Sequence, residues 1–201
     1  MTSATDQVKG RNREIFIAAV DLIAAGGVGN ATIKTLCERA GVTPPAIYYH
    51  FGSKDGLVAA VVEDAARRWL DALVSVVRAR GGVRQQVRAA VEIWRQEILA
   101  PQSPIKLLMR IQLEGALLTP ALRESLATVM RHGRDRIAET LQAGAGPLRD
   151  ANDLAETIIA LVQGAALQHD LDGDDLALTA RLARTGDTIV QLIEQRQKPA
   201  K

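Results

Sequence analysis

Thr32-Ile33-Lys34-Thr35-Leu36-Cys37-Glu38-Arg39-Ala40-Gly41-Val42-Thr43-Pro44-Pro45-Ala46-Ile47-Tyr48-Tyr49-His50-Phe51-Gly52-Ser53-Lys54-Asp55-Gly56-Leu57 is the stretch on which the fold turns. Thr32 predicts an N-cap for a short helix ending near Ala40. Gly41 stops that helix, because glycine takes the left-handed conformation at low cost. Thr43 is expected to cap the next helix. Pro44 sits at its first helical position, where a missing N–H costs nothing, and Pro45 is still within the first turn. Phe51-Gly52 closes the helix after two turns, and Ser53 caps a long one behind it. Ile47 and Phe51 lie four apart and are expected to face inward, with Leu36, Cys37, Ala40 and Val42 closing the angle between the short helices. Pro44, Pro45, Tyr48 and Tyr49 are left on the outward side.

Two short helices joined by Gly41-Val42-Thr43 are a helix-turn-helix candidate. A duplex major groove about 12 Å wide accepts one helix, so that helix must protrude from a small support behind it. A tyrosine pair on the outward side can offer hydroxyls to phosphate and rings to thymine methyls. The N–H groups opening the helices after Thr32 and Thr43 are expected to bind phosphate oxygens, joined by the two threonine hydroxyls. Lys34 points toward the same groove mouth. Lys54 opens the following helix, where a cation opposes the helix dipole unless a phosphate is near. The residues alone leave alternatives open. A glycine turn between short helices occurs in many all-α proteins, Tyr48 or Tyr49 can be half-buried core, and His50 can be a packed neutral side chain or a phosphate donor.

Outward from this stretch, apolar residues recur at spacings of three and four and hardly anywhere at two, the helical signal. Helices are expected at about 11–25, 32–40, 44–51, 53–80, 83–99, 105–118, 120–143, 152–169 and 174–195. Ile15, Ala19, Leu22 and Ile23 share one face of the first. Gly26-Gly27, Gly81-Gly82, Pro101 and Pro104 mark breaks, Thr119-Pro120 is a cap and first-turn proline, 144–147 is a linker, and the end after Gln197 should fray. About nine helices make an all-α protein. Aromatics are 3% of the 201 residues, so Leu, Ile, Val and Ala must fill the core.

Composition excludes several classes. The chain is 47% hydrophobic and 24% charged, which is ordinary globular usage rather than collagen-like, disordered or disulfide-built. Cys37 is the one cysteine, so no intrachain disulfide or paired-cysteine metal unit exists. No signal peptide and no run long enough to span a membrane is read, and a cytoplasmic location is expected. The net charge of +2 does not diagnose a nucleic-acid partner, and residues 1–56 hold six basic and five acidic side chains. DNA contact must come from where the charges stand.

The combination Ala40-Gly41-Val42-Thr43, Ile47-Tyr48-Tyr49-His50-Phe51 and Lys54-Asp55-Gly56-Leu57 resembles the DNA-binding domain of TetR-family transcriptional regulators. The resemblance is detailed over about 11–57 and extends beyond only in helix number, length and order. It implies a helix-turn-helix domain at 1–56 and a larger helical domain at 57–201 for effector binding and dimerisation. It implies phosphate contacts from Thr32, Thr43, Tyr49, His50 and Lys54, and base contacts from Lys34, Pro44, Pro45, Ala46 and Tyr48. Cys37 stands where a small apolar residue supports the helices. Pro45 departs from the glycine of many members and resembles the tetracycline-repressor branch, without implying tetracycline as ligand.

The expected partners are double-stranded DNA, a second copy of the chain and a small-molecule effector, with no cofactor, metal or membrane. A palindromic operator matches a two-fold dimer. The last two helices are similar to the pair that forms the family's dimer. Leu154, Ile158, Leu161, Val162 and Ala165 form one stripe, and Leu178, Leu182, Ile189, Leu192 and Ile193 another, with ordinary intrachain packing as the alternative. The ligand pocket is expected among helices at 57–143, where Trp69, Trp94, Met109, Gln112, Glu114 and His132 stand out. Each has a packing or solvated alternative, and the few aromatics favour an aliphatic ligand. The helix at 54–80 belongs to both domains and is expected to transmit effector binding, releasing a repressor from DNA. Other readings are an activator, a DNA-binding dimer without effector, a scaffold, or an enzyme. His50, His132 and His169 are scattered, and no catalytic motif is present. Asp170, Asp172 and Asp174 alternate like a calcium loop, but Gly173 is misplaced and Arg181 stands where the pattern wants Glu.

Overall fold

The computed structural model describes residues 4–77, 82–100 and 103–197. Nine α-helices lie among the described residues: α1 (Ala4–Gly26), α2 (Ile33–Ala40), α3 (Pro44–Phe51), α4 (Lys54–Val77), α5 (Val83–Leu99), α6 (Pro104–Leu113), α7 (Pro120–Ala145), α8 (Ala151–Asp172) and α9 (Asp175–Arg196). Tight 3-10 turns occupy Val28–Asn30 and Gly115–Leu117. Every expected helix is present, and the all-α class with helix-turn-helix elements first and a larger helical part after them holds. The end of the fourth helix at 78–80, Gly81, Pro101 and the chain after Gln197 lie outside the described residues.

The boundaries differ where glycine and aspartate did not break a helix. α7 runs through Gly144 to Ala145, and α8 continues through Asp170 to Asp172. One glycine costs a helix about 1 kcal/mol against alanine, too little to end a packed one. The linker at 144–147 and the acidic turn are accordingly shorter than expected. α6 is shorter too, stopping at Leu113 where the chain tightens into the second 3-10 turn.

The caps are mostly those expected. Thr32 Oγ1 accepts from Thr35 N at 3.1 Å while Thr35 Oγ1 accepts from Thr32 N at 2.9 Å, a reciprocal pair. Ser53 Oγ accepts from Gly56 N at 2.9 Å, and Asp174 Oδ1 from Ala177 N at 2.9 Å. Thr43 is an exception. It occupies the cap position with extended backbone, but its side chain makes no capping bond.

The chain divides into two compact units, one from Met1–Ala66 and Lys106–Val129, the other from Arg67–Ile105 and Met130–Lys201. In the first, α1 lies against α2 and α3. Ile15, Ala19, Ile23, Leu36 and Ile47 are fully buried there, with Leu57, Val58 and Ile111. Glu114 ties this unit together, since Val28 N–H donates to its Oε2 at 2.8 Å. Gly27 has φ +79, and a Cβ there would lie 1.5 Å from Glu114 Oε1. Thr119 Oγ1 donates to Asp55 Oδ2 in the same unit.

In the second unit, α9 lies against both α5 and α8. Leu154, Ile158, Val162, Ala165, Leu178, Leu182 and Ile189, expected at a dimer interface, are buried within the chain itself, as is Ile193. Leu161 and Leu192 are half-buried. The two stripes are therefore the inward faces of α8 and α9. An apolar stripe goes to the nearest core, and of these residues only Leu161 and Leu192 keep partial exposure. The end of α9 is pinned by Arg149 N–H donating to Arg196 O at 3.0 Å and Gln197 Nε2 donating to Ala145 O at 2.9 Å. At the α8–α9 corner Arg181 pairs with Asp172. The arginine that spoiled the calcium pattern is thus the cation that neutralises it.

Candidate functional site

α3 is held by one face and open on the other. Ile47 is fully buried, while Tyr48 is 50% and Tyr49 79% exposed. Phe51 is half-buried, Pro44 and Pro45 are exposed, and Ala46 is half-buried. Gly41, at φ +64, turns the chain between α2 and α3, and Val42 N–H donates to Cys37 O at 3.1 Å to close the end of α2. Cys37 is half-buried beneath it. Tyr49 meets His50 edge to face with centroids 5.1 Å apart. The expected contact residues flank this helix in sequence: Thr32 caps α2, Lys34 lies on α2, Thr43 precedes α3 and Lys54 begins α4. Lys34 is exposed and approaches Glu38 at 4.0 Å.

One sequence expectation is corrected here. The start of α3 supplies no anion-binding N–H groups. Pro44 and Pro45 have none, and Ala46 N–H is donated to Thr43 O at 3.0 Å. Thr43 keeps its hydroxyl uncommitted to capping instead. At α2, Thr35 N–H is taken by Thr32, and the N–H groups of Ile33 and Lys34 precede the first intrahelical bond.

The second unit holds an apolar cavity of about 80 Å³. Trp69 and Trp94 line it. Met109 and Gln112 do not. They belong to the first unit, where Met109 is buried and Gln112 half-buried, and His132 is exposed. Glu114 serves the Val28 backbone instead. The other walls come from α5, α7, α8 and α9, among them Val87, Ile137, Ile158, Val162 and Ile189. The last two helices are thus pocket walls, outside the 57–143 range expected. No sequence signal marks these residues, because an aliphatic cavity wall and a filled core read alike. Neither indole Nε1–H has an acceptor in the protein.

Among the described residues no three His, Cys, Asp or Glu side chains converge to hold a metal ion, and no helix is long and apolar enough to cross a membrane.

A short helix anchored by one buried face, turned outward by a glycine and flanked by hydroxyls and lysines, defines a helix-turn-helix DNA-binding protein. Residues 15–61 match the family of bacterial regulatory proteins of the tetR type, and residues 82–183 match the C-terminal domain of LmrA/YxaF-like transcriptional regulators. The chain is 30% identical to the HTH-type transcriptional repressor AcnR of Corynebacterium diphtheriae, over 92% of this chain and 90% of that protein. It is 25% identical to the HTH-type transcriptional regulator BetI of Rhizobium meliloti, over 89% of this chain and 87% of the relative. A TetR-family regulator from Agrobacterium tumefaciens shares the fold with a TM-score of 0.76 at 21% identity, covering 95% of this chain and all of that one. The chain belongs to the TetR family of transcriptional regulators.

Proposed function

We propose that the protein is a ligand-responsive repressor that binds a palindromic operator as a homodimer and is released by a small-molecule effector. One observation carries the DNA reading: two adjacent tyrosines stand exposed on a two-turn helix anchored on its other face by the fully buried Ile47. Thr32, Thr43, Tyr49, His50 and Lys54 grip phosphates on either side. Lys34, Pro44, Pro45, Ala46 and Tyr48 face base edges. Pro45 supports a reading helix of the tetracycline-repressor kind, and the likeness stops at that helix. The 30% identity to AcnR, a transcriptional repressor, supports the direction of control. A DNA target carries with it the expectation of a cytoplasmic location.

For the dimer, the outward faces of α8 and α9 replace the buried stripes. Leu167, Leu171 and Leu176 are exposed large apolar side chains there. Ala160, Gly164 and Ala180 are exposed between them and allow close approach of a second copy. For the effector, the cavity of the second unit is the site, and α4 transmits the change. It is one unbroken helix from Lys54 to Val77 with residues in both units. Only a ligand that favours one arrangement over the other shifts the balance. The functional division at about residue 56 then separates reading from sensing along the sequence.

The test is a double variant, Tyr49→Phe with Lys54→Ala. It should weaken binding to all DNA sequences and reduce the salt slope by about 1 for the lost phosphate cation. Lys34→Ala and Tyr48→Ala should change the preferred sequence, read by selection from random DNA, more than they change non-specific binding. Unchanged affinity in the double variant rules out the clamp.

A further inference from the structure

The protruding face of α3 is short of hydrogen-bonding chemistry. Pro44, Pro45, Tyr48 and Tyr49 are exposed on this helix, and Ala46 and His50 are half-buried. Its eight residues include no Arg, Lys, Asn, Gln, Asp or Glu. Those are the side chains that tell bases apart by hydrogen bonds, with Arg or Lys on guanine, Asn or Gln on adenine, and carboxylates on cytosine. The backbone supplies no substitute. Pro44 and Pro45 have no N–H, and Ala46 N–H is donated to Thr43 O. The hydroxyls of Thr43 and Tyr48 both donate and accept, so they do not discriminate between base edges.

Tyr49 and His50, in edge-to-face contact, belong to the phosphate contacts proposed above. What remains for the bases is carbon: the rings of Pro44 and Pro45, the Ala46 methyl and the Tyr48 ring. The major groove offers carbon one apolar feature, the C5-methyl of thymine. Among the expected base contacts, Lys34 on α2 is the one charged donor, and it is exposed. Its ammonium suits the paired acceptors of guanine, N7 and O6.

We propose that α3 selects its operator through thymine methyl groups, touched by Pro44, Pro45, Ala46 and Tyr48, and that Lys34 adds a guanine. This rests on reading α3 as the helix that enters the major groove, and it names the bases that helix prefers. Burial of one methyl raises affinity about fourfold. Contacts of this kind multiply across the two half-sites, so a thymine-containing sequence is chosen without a hydrogen bond from α3. The same chemistry makes cytosine methylation visible, because 5-methylcytosine carries its methyl where thymine does.

Selection from random duplex DNA with the whole chain gives the preferred half-site. Each of its thymines is then replaced by deoxyuridine, which removes the methyl and keeps the pairing edge. Affinity is expected to fall about fourfold at each contacted position. The same replacement outside the half-sites, the control for duplex shape, should change nothing. Where cytosine replaces a contacted thymine, 5-methylcytosine should bind about fourfold tighter than cytosine. Tyr48→Ala should lower the ratio of thymine to uracil affinity at one position, and Lys34→Ala should erase the preference for guanine. If thymine and uracil bind alike throughout the selected half-site, or if that half-site holds no thymine, methyl reading is wrong while α3 remains a DNA-reading helix. If selection returns no preferred sequence, the reading of α3 as a groove helix falls with it.

Discussion

Gly56 and Gly186 both sit inside α-helices, α4 and α9, and each faces a close neighbour, but the neighbours differ in kind. A Cβ on Gly56 would lie 2.2 Å from the backbone oxygen of Phe51, the last residue of α3. A Cβ on Gly186 would lie 2.9 Å from Cγ2 of Val91, the end of a side chain. Backbone cannot yield without moving α3, whereas a valine methyl can turn. The first unit places its reading helix by backbone contact and by hydrogen bonds such as Val28 to Glu114. The second packs side chain on side chain and leaves an apolar cavity. A DNA-reading helix needs fixed geometry, and a cavity leaves side chains room to change.

The same substitution in both places separates these regimes. Alanine gains about 1 kcal/mol of helix propensity at either site, so a difference in outcome reports the neighbour alone. Gly56→Ala is expected to cost about 3 kcal/mol, because the collision with the Phe51 carbonyl forces the α3–α4 turn apart. Denaturant unfolding monitors the stability, and operator affinity should fall with it. A cost below about 1 kcal/mol would break the contrast.

Glu114→Gln tests the other tie in the first unit. The amide can still accept from Val28 N–H, but the charge assistance is lost, and the site is only partly buried. The expected cost is about 1 kcal/mol by the same measurement. No loss would mean that the loop after α1 is held by its own backbone. Gly186→Ala in the second unit follows with a smaller effect. Propensity and the Val91 contact oppose each other, and the net change should stay within about 1 kcal/mol of zero. A change as large as that of Gly56→Ala would erase the distinction between the units.

The sequence made the first unit legible because its features are local. Thr32, Gly41, Pro44 and Gly52 each act on their own turn, and the inward position of Ile47 follows from helical spacing alone. Two prolines also announce that α3 lacks its first N–H groups, a consequence that can be drawn without coordinates. Gly56 was legible in principle, as a glycine where a helix would prefer another residue, but the carbonyl it accommodates comes from a turn closed in space. The second unit reads poorly for a different reason. Ile158, Val162 and Ile189 have the spacing of any buried stripe, and periodicity cannot tell whether that stripe meets a second copy, a filled core or a cavity. Met109, Gln112 and His132 stood out by residue type, which says neither which unit a helix turn joins, as for Met109 and Gln112, nor which way it faces, as for His132. Trp69 and Trp94 draw notice because large side chains are few, and both line the cavity.

Electrostatics offers the finest cut, and it falls within the second unit. Asp172 accepts from Arg181 and from the Asp174 N–H, which hold its carboxyl below the ordinary aspartate range. Glu92 is likewise held down, to about 2, by Arg95 and then Gln96. The two differ in reach. Glu92 and Arg95 lie three residues apart on α5, while Asp172 and Arg181 join α8 to α9 across a turn. A local pair persists wherever its helix forms, but the corner pair exists only when the two helices meet. The sign follows from proton binding. Because the folded pKa of Asp172 is depressed, its contribution is complete above the unfolded aspartate range and disappears as pH falls through the folded value. Asp172→Asn keeps an acceptor for Asp174 N–H, but it removes the charge and replaces the oxygen that accepts from Arg181 by an amide donor. The variant should therefore unfold at lower urea than the parent near neutral pH, and the gap should close on acidification. Glu92→Gln should show a smaller gap, and raised salt should shrink both, since both pairs lie at the surface. A gap for Asp172→Asn that is constant across the acid range would mean that the corner is held by Gly173 and the Asp174 cap rather than by charge.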